Sequence, residues 1–146
     1  MDDSSHVQTG FMRGAEICCM GRFFDVNIEF NQDKVNEIIF SAISNKQKGY
    51  VCSIESNNLS IANVNPEYNT IINGSLVNIC DGSVLAKILA WIHQQDFDSY
   101  IGADLFLAFI EMKTFKQYFL GNTQEILDSL RGNLAKIDPA IQTMRF

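Results

Sequence analysis

Ser75-Leu76-Val77-Asn78-Ile79-Cys80-Asp81-Gly82-Ser83 is the stretch that decides how this 146-residue chain folds. Its apolar centre reads as a short buried strand, and Asp81-Gly82 marks where that strand stops. Directly afterwards, Val84 to Ile92 is apolar around most of a helical circumference, so a well-buried helix is expected there. Open parallel sheets bind their ligands beyond the carboxyl ends of the strands, which is where Asp81 falls.

Working outward, the same alternation of strand and helix continues in both directions. Upstream, Asp25-Val26-Asn27-Ile28-Glu29-Phe30 alternates polar with apolar residues, the period of a half-exposed strand. Asn31 or Asp33 can cap a helix that places Val35, Ile38, Ile39, Ala42 and Ile43 on one face. Tyr50 to Ile54 is the next strand and Glu55 to Asn58 a polar turn. A short helix from Leu59 to Val64 stops before Pro66, and Pro66 opens another through Ile72. Asn73-Gly74 then turns the chain into the central strand.

Downstream, Gln94 to Tyr100 is a polar connection leading to a second largely buried helix over Asp104 to Ile110. Lys116 to Leu120 reads as a strand and Gly121 as a tight turn. Asn122 to Glu125 has the form of a capping box, opening a helix with Ile126, Leu127, Leu130 and Leu134 on one face. Pro139 ends it, and Ile141 to Phe146 reads as a last strand. Phe11 to Phe24 carries no clear period, and residues 1–10 read as a polar, disordered tail.

This rhythm predicts one α/β domain over residues 11–146, a Rossmann-like, mostly parallel sheet flanked by helices. Because the chain ends on a strand rather than a covering helix, the sheet is expected to be incomplete at its carboxyl end. Self-association through the exposed edge is expected to follow.

Composition narrows the function. With 47% hydrophobic and 19% charged residues the chain is globular, and its net charge of −6 without a Lys/Arg cluster excludes nucleic acid as a partner. No apolar stretch reaches the roughly 20 residues of a spanning helix, and Met1 to His6 lacks the features of a signal peptide. Cys18, Cys19, Cys52 and Cys80 form no C-x-x-C pair, which suits reduced thiols in a cytoplasmic protein. Neither histidine, His6 or His93, has partners at metal-ligand spacing, so no metal is expected, and G-x-S-x-G, P-loop and G-x-G-x-x-G motifs are missing.

Asp81 is the first candidate for chemistry: a carboxylate ending a buried strand can act as a general base toward a hydroxyl. Equally, an aspartate before Gly82 can be the cap of the helix that follows. Ser53 and Glu55 end another strand and would face the same cleft if the two strands are neighbours, although serine and acidic residues are also ordinary turn formers. Gly121-Asn122, ahead of a helix, offers backbone N–H groups to an anion or simply caps the helix.

The ordered set Tyr50-Val51-Cys52-Ser53, Leu59 to Asn65, Asn65-Pro66-Glu67-Tyr68, Cys80-Asp81-Gly82, Gly102-Ala103-Asp104-Leu105-Phe106 and Tyr118-Phe119-Leu120-Gly121 resembles the TagA/WecG/CpsF glycosyltransferases, glycosyltransferase family 26. The resemblance runs from about Phe24 to Phe146. It implies an inverting transfer of an N-acetylmannosamine-type or related sugar from a UDP donor to a lipid-linked saccharide acceptor, polyprenol-diphosphate-linked N-acetylglucosamine. Cell-surface polysaccharide synthesis at the inner face of the cell membrane is the implied setting, with no cofactor. Asp81 falls on the family's base, and Ser53 on a threonine that shapes the acceptor pocket. Gly82, Gly102 and Asp104 fall in its matched motifs. This chain has Glu55 where many members have asparagine, and Ser99 where an arginine usually lies. Family members also continue beyond the position of Phe146, through units that supply much of the UDP site. The resemblance therefore implies the amino-terminal, acceptor-side part of such an enzyme, or a non-catalytic α/β module that binds a nucleotide or glycan.

Overall fold

In a computed structural model, which describes residues 20–121 and 123–144, the chain forms a four-stranded sheet in the order β1-β2-β4-β3. The strands are β1 (Met20–Phe23), β2 (Val26–Glu29), β3 (Val51–Ile54) and β4 (Val77–Cys80). β1 pairs antiparallel with β2, whereas β2, β4 and β3 run parallel. Six α-helices accompany them: α1 (Gln32–Ser44), α2 (Ser56–Val64), α3 (Pro66–Asn73), α4 (Ser83–His93), α5 (Gly102–Glu111) and α6 (Gln124–Leu134). The mostly parallel, Rossmann-like α/β sheet expected from the sequence is therefore present. The expected tail over residues 1–10 lies outside the described residues.

The order of the strands follows from the connections. From β2 the chain passes over β4 to reach β3, then steps back to β4, and the two crossovers lie on opposite faces, as right-handed connections require. One face carries Val26, Ile28, Phe30, Ile54 and Cys80 against Leu59, Ile72, Leu85 and Leu89 of α2, α3 and α4. The other carries Val77 and Ile79 against Val35 of α1, with Ile38, Ile39 and Leu105 packed around them. Strand alternation thus sends Val77 and Ile79 one way and Cys80 the other, and all four residues of β4 are buried.

The turn between β1 and β2 is left-handed at two non-glycine residues, Phe24 (φ 48°) and Asp25 (φ 61°), the two-residue geometry whose twist suits a hairpin. Aspartate tolerates that conformation, but phenylalanine does not favour it. Asn73, the last residue of α3, compensates. Its Nδ2 donates to the Asp25 carbonyl at 2.7 Å, and its Oδ1 accepts from the Asn27 N–H at 3.1 Å. The side chain of α3 therefore fixes the hairpin on the edge of the sheet.

Two expected strands do not form among the described residues. Lys116 to Leu120 is irregular, with a single bridge residue at Tyr118. Phe119 turns into a third apolar cluster with Ile110, Leu134 and Ile141 instead of onto the sheet. Gln117 reinforces this, its Nε2 donating to the Phe109 carbonyl at 3.1 Å. In place of a last strand, Pro139–Thr143 forms a 3-10 helix, and Arg145 and Phe146 lie outside the described residues. Asp138 explains the difference: its Oδ1 accepts from the Ala140 N–H at 3.0 Å, and Pro139 occupies the first helical position, both signals that start a helix. The ends of the described sheet are consequently β1 and β3, not a carboxyl-terminal strand.

Replacing Asn73 by alanine removes both hairpin bonds and is expected to lower stability by about 1–2 kcal/mol, two modest hydrogen bonds with one backbone N–H left to water. Urea unfolding of wild type and variant measures this; an unchanged midpoint would mean the strand ladder alone holds the hairpin.

Candidate active site at the carboxyl edge of the sheet

Three parallel strands end side by side, and three helices start just beyond β3, β4 and the following loop. Asp81, half-buried, is the residue after β4, and its backbone N–H extends the ladder by donating to the Ile54 carbonyl at 2.8 Å. Its side chain leaves the sheet and is held by two other elements. The hydroxyl of exposed Ser53, from β3, donates to Asp81 Oδ2, and the Gly102 N–H, first residue of α5, donates to the same oxygen at 3.3 Å. Ser53, Asp81 and Gly102, which are far apart in the chain, thus share one oxygen atom.

The position of Gly102 depends on the loop before it. Tyr100 is buried. Its N–H donates to the Cys80 carbonyl at 2.9 Å and its hydroxyl to Asn36 Oδ1 of α1, also at 2.9 Å. The loop is therefore latched to both β4 and α1, and the amino end of α5 is delivered to Asp81. Sequence reading treated Gln94 to Tyr100 as a plain polar connection and missed this residue. The available signal was an aromatic closing a polar run that already holds Phe97, directly ahead of Ile101-Gly102.

The two readings of Asp81, cap or site, separate here. The residue capping α4 is Gly82, with no side-chain cap bond. The Asp81 carboxylate instead meets the amino end of α5, whose own cap residue, Ile101, has no polar side chain to offer. Asp81 therefore caps a helix, but not the one that follows it.

Other candidates lie around this group. Glu55, exposed, is the cap residue of α2, and its N–H donates to Asn58 Oδ1 at 3.2 Å. Gly82 adjoins Asp81, and Asp104 is exposed in the first turn of α5. Gly121 is not joined to Asp81 by any hydrogen bond among the described residues; it is left-handed (φ 128°) and precedes α6, in the region of the third cluster. Asn122 lies outside the described residues, and α6 is capped by Thr123 rather than by the expected Asn122.

One acidic residue at this edge escaped the sequence reading. Glu29, at the end of β2, is fully buried although its alternating strand suggested a half-exposed one. Its Oε1 accepts from the N–H groups of Phe30 (3.1 Å) and Asn31 (3.0 Å), and its Oε2 pairs with Lys34 Nζ at 2.9 Å. It is a structural carboxylate that anchors the start of α1, its Oε2 neutralised by Lys34 but without a geometrically formed hydrogen bond. Among the described residues no group of three His, Cys, Asp or Glu could hold a metal ion.

An apolar groove of about 410 Å³ opens beside this edge, lined by Leu59, Val64, Leu85, Ile88 and Phe24, with Ser56 at its rim. Ser56 and Leu85 lie in the first turns of α2 and α4, so the groove shares the end of the sheet that carries Asp81.

A half-buried carboxylate is thus held by a hydroxyl and a helix amino end beside an apolar groove. Residues 21–145 match the glycosyl transferase WecG/TagA/CpsF family. The chain belongs to that family. Among curated proteins none matches it. Membership of this glycosyltransferase family indicates a transferase-type role with sugar donor and acceptor substrates. No helix among the described residues is long and apolar enough to cross a membrane.

The edge also sets the behaviour of Cys80. Burial, and secondarily the charge of Asp81, push its thiol from 9.0 up to about 11, and burial raises that of Cys52 as well. Since the unfolded thiol ionises first, this group's contribution to stability holds below pH 9.0 and is lost as pH rises to about 11. Under native conditions at neutral pH, alkylation followed by peptide mass mapping is expected to leave Cys80 unmodified. The Asp81→Asn variant should bring the thiol's ionisation to lower pH, and no change on that substitution would remove Asp81 as a cause.

Proposed function

We propose that this chain provides the acceptor side of an inverting sugar transfer, with Asp81 as the general base. The proposed donor is a UDP-sugar carrying an N-acetylmannosamine-type or related residue, and the acceptor a polyprenol-diphosphate-linked N-acetylglucosamine, used in building cell-surface polysaccharide. The observation that carries this reading is the placement of Asp81. Its carboxylate stands clear of α4, half-buried at the carboxyl edge of a parallel sheet, and is fixed by donors from β3 and α5. A base held there can take the proton of an acceptor hydroxyl as that oxygen attacks the sugar and the nucleoside diphosphate leaves. Glu55, Gly82 and Asp104 line the same edge and are proposed to contact saccharide, with Gly121 and Asn122 as a separate anion contact before α6. The working location is the cytoplasmic face of a membrane, where such an acceptor is presented.

A second reading, a non-catalytic module binding a nucleotide or glycan, is favoured by Ser99 and Glu55, which stand where the family pattern has arginine and asparagine. Arginine is the usual bidentate partner of a diphosphate, and serine cannot replace its charge. Turnover of a UDP-sugar on a lipid-linked N-acetylglucosamine analogue, with Asp81→Asn beside wild type, separates the two. The expected loss is about 100-fold or more, the usual contribution of a positioned base. Binding of donor or acceptor without turnover by the wild type would favour the module.

The groove between α2 and α4 suits the apolar chain of the acceptor, since it starts at the Asp81 edge and runs away from it along two helices. Ile88 is already half in solvent, so Ile88→Glu should fold normally. That variant is expected to raise KM for a long-chain acceptor about tenfold or more, as loss of a buried apolar contact would, and to leave a short-chain acceptor unaffected. Equal effects on both acceptors would place the lipid elsewhere.

A further inference from the structure

We infer that Ser53 is a positioning residue for Asp81, one that decides which carboxylate oxygen receives the proton; the inference rests on Asp81 acting as the base. Both donors reach the same atom. The Ser53 hydroxyl and the Gly102 N–H each donate to Oδ2, and among the described residues nothing donates to Oδ1. Oδ1 keeps both lone pairs and is the oxygen free to meet a substrate hydroxyl.

The backbone makes this division rigid. Ser53 pairs with Ile79 in the β3–β4 register, and Asp81 continues the same ladder through its bond to Ile54. Neither partner can slide along the sheet without breaking ladder bonds. On the third side, a Cβ added at Gly102 would lie 3.4 Å from Asp81 Oδ2 and 3.7 Å from Ser53 Oγ, so position 102 closes directly over the shared oxygen. Because donors from β3 and α5 both hold Oδ2, rotating the carboxylate to exchange its oxygens requires breaking both hydrogen bonds.

The proton then has one destination. As the acceptor O–H bond breaks, a new O–H bond forms on Oδ1. The acceptor oxygen forms its bond to the sugar carbon, and the diphosphate departs with the electron pair of the bond it leaves. Oδ2 stays hydrogen-bonded throughout. Ser53 meanwhile has its only proton engaged by Asp81, so toward a saccharide it can accept a hydrogen bond but cannot donate one. Its main effect is on the orientation of the base, not on the affinity for acceptor.

Ser53→Ala, Ser53→Thr and Asp81→Asn test this. In the unliganded protein, three-bond Hα–Hβ couplings of Asp81 report its χ1 distribution whether or not the chain turns over. A single rotamer is expected in wild type and in Ser53→Thr, which keeps the hydroxyl in a side chain suited to a strand, and averaged couplings in Ser53→Ala. In turnover, Ser53→Ala should lower kcat by about tenfold to 100-fold with KM little changed, part of what a positioned base contributes, and Ser53→Thr should restore it. Wild-type couplings in Ser53→Ala overturn the positioning role even if Asp81 is the base. A raised KM with unchanged kcat does so too, and would make Ser53 a substrate contact. Full turnover by Asp81→Asn sinks the base reading itself, and with it the assignment of the proton to Oδ1.

Discussion

Burial of β4 on every side is the constraint from which the rest follows. The strand lies between β2 and β3, and its two faces are covered by helices, so Val77, Asn78, Ile79 and Cys80 are all enclosed. Each large apolar residue so placed contributes about 2 kcal/mol of transfer free energy. The one polar member is fully engaged: Asn78 donates to the Asn27 carbonyl at 2.7 Å and accepts from the Ser75 hydroxyl at 2.8 Å. A chain emerging from such a strand has its first chance to present a reactive side chain at the next residue. Asp81 occupies it.

A site at that edge must still be completed by parts distant in sequence, and long-range contacts bring them in. Tyr100 carries the loop after α4 back across the end of β4 and ties it to α1, so that α5 begins against Asp81. Helices α2, α4 and α5 all start at this edge, and their amino ends supply partial positive charge near Glu55, Asp81 and Asp104. Without that compensation, several carboxylates gathered on a chain already at net charge −6 would repel one another.

What the sequence revealed and what it hid follow this division between local and long-range. Periodicity and caps disclosed α1 through α6 and the parallel strands, because Asn31, Pro66 and the apolar faces are local signals. β1 stayed hidden because its turn, Phe24-Asp25, lacks the asparagine or glycine that announces a left-handed hairpin, and the residue that stabilises it, Asn73, lies on another helix. Lys116 to Leu120 misled because Phe119 and Leu120 have strand character but pair with no strand among the described residues; Phe119 buries itself against α5 and α6 instead. At the site, Asp81 and Ser53 were visible as residues at strand ends, yet nothing local shows that a glycine about twenty residues later shares their oxygen atom. Glu29 was read as half-exposed because alternation reports which face a side chain takes, not whether a helix covers that face.

The double duty proposed for Asp81 looks at first like a conflict. A carboxylate that holds the start of α5 is needed as an acceptor, and a general base must give up part of its charge each time it takes a proton. Separating the two oxygens resolves this. Protonation on Oδ1 leaves Oδ2 with lone pairs for both Ser53 and Gly102, since a neutral carboxyl group still accepts through its carbonyl oxygen. The bonds weaken as the charge disappears, because a neutral acceptor is the poorer partner, but they are not lost. The helix end thus stays in place whether the carboxylate is charged or neutral. By tying one oxygen twice and the other not at all, the fold leaves the same side chain able to hold α5 and to serve the proposed chemistry.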